Sequence, residues 1–210
     1  MSTIRYIADL HWGHRNIVAY DNRPFSSIEE MDEALVTLWN ETVQKDDVTY
    51  VVGDMIWSNK YQDWENLLLK LNGSKVIVKG NHDRTEILDK LKAHSLIVDW
   101  SHQLVVKDDQ GRHIILNHSP MPFFVNMHVP NWYHLYGHTH VSFDYQITLN
   151  TRRLIEELYL HEIRMYNVGC MIPGMNYIPH TLDEIIDIDK RITRASTIEY
   201  DVKKHDNKEH

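Results

Sequence analysis

Cysteine is all but absent from this chain: Cys170 is the only one in 210 residues. An internal disulfide framework is therefore excluded, and a reducing compartment is the expected setting. Long apolar runs are missing as well. None approaches the roughly 18 residues needed to span a bilayer, and Thr3 to Ala8 reads as a short strand running into Asp9, not as a secretion signal. These absences predict a cytoplasmic protein with no membrane partner. No Gly/Ser linker or internal repeat divides the chain, so 1–190 reads as one domain large enough for a well-buried core. The polar stretch 191–210 reads as a mobile tail. Basic residues are in deficit, 22 Lys and Arg against 30 Asp and Glu, for a formal charge of −8. That balance disfavours an extended nucleic-acid surface. It still permits a small phosphorylated substrate, because bound divalent cations invert the sign of a local site.

Histidine, by contrast, is abundant at 15 residues. His94, His102, His113, His205 and His210 close no strand and read as surface residues. Five others, His11, His82, His118, His138 and His140, fall into a pattern. Five apolar runs with strand character each end in residues able to hold a metal: Arg5 to His11, Tyr50 to Asp54, Val76 to Asp83, Ile114 to His118, and Leu135 to His140. Ligands of α/β sheets bind just past the carboxyl ends of strands, so five such ends predict one shared polar site. The period of two along a strand would point Asp9 and His11 the same way, and likewise His138 and His140. Two cations about 3.5–4 Å apart need a shared carboxylate between them.

The same segments carry a resemblance. Asp9-x-His11, Gly53-Asp54, Gly80-Asn81-His82-Asp83, a lone His118 after a strand, and Gly137-His138-Thr139-His140 resemble, in that order, the calcineurin-like metallophosphoesterases. The likeness runs from Tyr6 to about Asn167. It implies a two-sheet α/β sandwich, with mixed sheets flanked by helices. It also implies hydrolysis of phosphate mono- or diesters with two divalent transition metal ions, manganese first, with iron, zinc, nickel or cobalt as alternatives. Asp9, His11 and His140 would hold one ion, Asn81, His118 and His138 the other, and Asp54 would bridge them. A hydroxide held by the metals would attack phosphorus while His82 acts as general acid, with Asp83 orienting its imidazole. The alternatives are a nuclease or nucleotide phosphodiesterase of the same fold, or a non-catalytic metal-binding module.

Around these blocks, His14 and Arg23 follow the first ligand pair and are candidate substrate-binding residues, an Arg there being suited to phosphate oxygens. The bland reading is a solvated loop charge. Helices are predicted over 26–44, with a capping pair Ser26 and Glu29, over 61–71 and over 85–92. Strands are predicted over 104–107 and 113–116 as a hairpin, and over 133–136, 143–149 and 163–168, with a helical insert over 151–160. The loop 121–132 is expected to pack on the body, with a wall of the site or a dimer contact as the alternatives. Cys170 is expected to be a buried small apolar residue.

Overall fold

The computed structural model describes residues 2–195. Alternation of strands and helices in the first half gives a sheet of four parallel strands in the order β1 (Ile4–Ile7), β2 (Val48–Val52), β3 (Ser74–Val78) and β4 (Asp99–Ser101). The second sheet runs β5 (Gln103–Lys107), β6 (His113–Asn117), β7 (Trp132–Tyr136) and β8 (Met165–Asn167). Here β5 and β6 form an antiparallel hairpin, while β6, β7 and β8 are parallel. The helices are α1 (Ile17–Tyr20), α2 (Ile28–Thr42), α3 (Tyr61–Leu68), α4 (Thr85–Ala93), α5 (Phe143–Tyr159) and α6 (Leu182–Ala195). The expected α/β sandwich is the fold observed, with the first sheet wholly parallel and the second mixed.

The α2 pattern buries Met31, Leu35, Trp39 and Val43, and α3 buries Trp64 and Leu68 against the same core. Capping falls one residue later than predicted. The Ser27 hydroxyl accepts the Glu30 amide at 3.1 Å, and the Glu30 carboxylate reaches back to the Ser26 amide at 2.7 Å. The box is the same chemistry shifted by one position, because serine occupies both 26 and 27.

Two parts of the sequence reading are corrected. Residues 143–149 are the first two turns of α5, continuous with the predicted helix over 151–160. The tail does not begin at 191, since α6 runs to Ala195; the rest of the predicted tail, with His205 and His210, lies outside the described residues. Among the described residues, no helix is long and apolar enough to cross a membrane.

The sheets meet at one seam. Ala8, just past β1, bridges Gly169, just past β8, in parallel. The Ala8 amide donates to the Val168 carbonyl at 2.8 Å and the Cys170 amide to the Ala8 carbonyl at 2.9 Å. Cys170 is buried there as expected. In the loop 121–132, Phe124 and Met127 pack into a second core cluster with Ile155 and Ile163, while Phe123 stays exposed.

Candidate metal centre

Parallel pairing sets the carboxyl ends of β1, β2 and β3 side by side, and likewise those of β6, β7 and β8. The seam at Ala8 joins the two rows. All seven predicted donors therefore meet at one place. His11 Nε2 lies 3.2 Å from His140 Nε2, and His140 Nε2 lies 3.8 Å from Asp9 Oδ1. Asn81 Oδ1 is 2.9 Å from His118 Nε2 and 3.0 Å from His138 Nδ1. Asp54 Oδ2 sits between these groups, 3.9 Å from His11 Nε2 and 3.3 Å from His118 Nε2. Asp9, His11 and His140 form one cluster of compatible donor atoms, and Asp9, Asp54 and His118 a second.

The strand period is not what makes the donors converge. Asp9, His11, Asp54, His138 and His140 all lie beyond their strands with φ between +46° and +70°. Left-handed backbone is uncommon for residues other than glycine, and its concentration at five of seven donors marks the turns as shaped for the site. Glycines make the room. A Cβ on Gly80 would sit 2.1 Å from Asp54 Oδ1, and one on Gly137 would sit 2.5 Å from Asp9 Oδ2.

Bringing these groups together shifts their titration. Burial pushes the Asp9 carboxyl up, against the opposing pull of His118 and His140. Burial acts in the same sense on Asp54, but the hydrogen bond and charge of His118 outweigh it and hold the carboxyl at about 2. Burial would lower His118, yet Asp54 and Asp9 carry it up to about 9. Burial dominates at His11, lowered to about 3, where the neutral imidazole presents a lone pair. Two buried carboxylates facing mixed nitrogen and oxygen donors suit borderline divalent metals. The side chains present fit such ions.

The surroundings correct two role assignments. Arg23 is only 4% exposed and does not face a substrate. Its guanidinium donates to the Leu10 and Asp9 carbonyls, each at 2.9 Å, and to the Asp21 carboxylate at 2.8 Å. Asp21, which the sequence reading missed, accepts from His140 Nδ1 at 2.8 Å. A carboxylate behind a histidine fixes the tautomer and turns the other nitrogen toward a metal. The only sequence signal was Asp21 standing two residues before Arg23. Asp83 does not orient the His82 ring either. Its Oδ2 accepts the Gly80 amide at 2.8 Å and the Asp54 amide at 3.0 Å, so it ties two donor loops together.

His82 borders the cluster, its Nε2 3.9 Å from Asp54 Oδ2 and its side chain 41% exposed. Its amide donates to Asp54 Oδ1 at 2.9 Å. His14 is buried rather than solvated, its ring edge-on to Trp57 at 3.8 Å between centroids. Arg84 donates to the Asn59 side chain. Arg152 of α5 binds Asp189 of α6 and the Met165 carbonyl.

The structure is thus a two-sheet sandwich with an Asp, Asn and His cluster at its strand ends that could hold a metal. The family described as calcineurin-like phosphoesterase matches residues 2–162, and the chain belongs to it. An uncharacterized protein of Methanocaldococcus jannaschii is 31% identical over 189 residues, covering 90% of this chain and 92% of that one. The gene 66 protein of a Mycobacterium phage is 34% identical over 86 residues, 40% of this chain and 42% of its own. A crystal structure of a protein of unknown function from Aquifex aeolicus aligns with a TM-score of 0.63 at 20% identity. It covers 89% of this chain and 99% of its own, and shares the fold.

Proposed function

We propose that the protein hydrolyses phosphate mono- or diesters of a small substrate, using two divalent cations held by the seven converging side chains. The observation that carries this reading is that convergence: donors from five strand ends meet within 3–4 Å contacts around Asp54. Asp9, His11 and His140 would hold one cation, and Asn81, His118 and His138 the other. Asp54 Oδ2, near a histidine of each set, would serve both. This mixed donor set suits manganese, iron, zinc, nickel or cobalt, with availability deciding between them, and manganese is the first to test. Bound there, the cations supply Lewis-acid charge that neutralises phosphate oxygens and acidifies water.

The chain's own side chains do the rest. Asp21 and Arg23 hold His140 and the Asp9 backbone, and Asp83 holds the loops of Gly80 and Asp54, so the donors are set before substrate arrives. His82 is exposed, next to Asp54, and anchored through its amide. From there it donates a proton to the departing oxygen, which removes the cost of expelling a bare alkoxide.

The test is a rate assay after chelation and metal add-back, on the wild type and on His82→Asn, with metal content measured in parallel. Activity should vanish with chelator and return with manganese. His82→Asn should keep its metal and lose about two to four orders of magnitude on an alkyl ester. On a nitrophenyl ester, whose phenolate leaves unaided, the loss should be milder. Full activity in a demonstrably metal-free preparation refutes the metal reading, and equal losses on both esters refute the acid role.

A further inference from the structure

Beside His82 opens a cleft of about 330 Å³, lined by Trp57, Asn59, Asn81, His82, Asp83 and Arg84. That size lies within the range of small-molecule sites, about 300–1,000 Å³. Trp57 is its one large apolar residue and is 40% exposed. Single exposed aromatic residues are ordinary on protein surfaces; the setting of this one is not. Its amide donates to the Trp12 carbonyl at 2.9 Å, next to the bridge between Trp12 and Ile56. The indole is backed by the edge of His14, and its centroid lies 4.5 Å from that of His82. It is thus a fixed aromatic wall, left partly bare, against the side chain that would protonate the leaving group. Also lining the cleft, the Arg84 guanidinium is held by the Asn59 side chain.

A general acid must touch the departing oxygen, so the leaving group has to lie on the His82 side of phosphorus. That places it in this cleft. An alkyl or lipid chain fits poorly, because five of the six lining residues are polar or charged. A bare sugar would use the polar rim and could offer the indole only a C–H face, with no planar π-system to stack on it. A nucleoside uses both, with a planar base for the indole and hydroxyls and ring edges for Asn59 and Arg84. Base–aromatic stacking tolerates any base, since each presents a π-face.

We infer that this cleft receives the leaving group of the substrate, and that this group is a nucleoside whose base stacks on Trp57. The inference rests on the phosphoesterase reading for the position of the phosphate.

The experiment compares two non-hydrolysable phosphonates that differ only in the base, the analogues of AMP and of ribose 5-phosphate. Both are titrated calorimetrically into manganese-loaded wild type, Trp57→Ala and Trp57→Phe. The AMP analogue should bind the wild type about tenfold or more tighter. Trp57→Ala should erase that preference and leave the ribose analogue unchanged, while Trp57→Phe should retain most of it. Absence of a preference in the wild type overturns the inference, whether both analogues bind equally or neither binds. So does a preference that survives Trp57→Ala, or an equal weakening of both analogues, which would make Trp57 a prop for His82. Nitrophenyl ester hydrolysis, followed on the same preparations, separates the two readings. Turnover without base preference removes the nucleoside alone, and base preference without turnover removes the hydrolase alone.

Discussion

Asp83 shows how a residue can matter to a site without facing its ligand. One carboxylate oxygen receives two backbone amides, from Gly80 and Asp54, and so sets the turns that carry Asn81 and Asp54. Asp83→Ala strands both buried donors, each at a cost on the order of 1–3 kcal/mol. It should lower the denaturation midpoint clearly and weaken metal binding with it. Asp83→Asn keeps an acceptor oxygen and should hold both properties near the wild type. Chemical denaturation with metal titration checks this pair, and equal behaviour of the two variants would remove the bracing role. The seven candidate donors are legible in the sequence because their chemistry is local to short motifs. Asp21, Asp83's partners and the burial of Arg23 are not. Those depend on which backbone groups lie nearby after folding, and left-handed turns at five donors broke the strand-period argument used to aim them.

Among the elements, β-strands and amphipathic helices with one buried face were legible, and α2, α4 and the β5–β6 hairpin fall close to their predicted bounds. The stretch 143–149 was misread because Phe143, Tyr145, Ile147 and Leu149 alternate with polar residues as a strand would. On α5 that alternation splits between faces: Tyr145 and Leu149 are buried while Phe143 and Ile147 are exposed. The Ser142 hydroxyl caps the helix through the Asp144 amide, a start signal that alternation masked. Arg152 then pins α5 to α6 through a paired contact with Asp189 at 2.8–2.9 Å. Arg152→Met leaves Asp189 without its partner and should cost about 3 kcal/mol. Adding Asp189→Leu should restore most of that loss, because an apolar pair substitutes well for a buried ion pair. Thermal melts of the single and double variants decide it; no recovery in the double would mean the arginine stem, not its charge, holds the helices.

For the whole molecule, the site lies where strand ends of the two sheets come together beside the seam of Ala8 and Gly169, over a core the sheets share. Ligand binding to the folded state alone stabilises it by mass action, about 2.7 kcal/mol at a hundredfold excess over the dissociation constant. Saturating manganese should therefore raise the melting temperature of the chelated protein, and an unchanged melt would show that the donors do not bind it. The fold class was legible at this scale because strand–helix alternation dictates a parallel sheet. The seam was not, since it rests on backbone hydrogen bonds of Ala8 that no side chain announces. Its consequence concerns the order in which the chain is made. Each donor cluster draws on both sheets, Asp9 and His11 with His140 in one, Asp9 and Asp54 with His118 in the other. Neither sheet alone carries a complete set. During synthesis the first half can lay down its strands by near-neighbour contacts, but the cluster with His11 must wait for His140, 129 residues later. A cation held by these clusters could therefore be acquired only after residues of both sheets have been made.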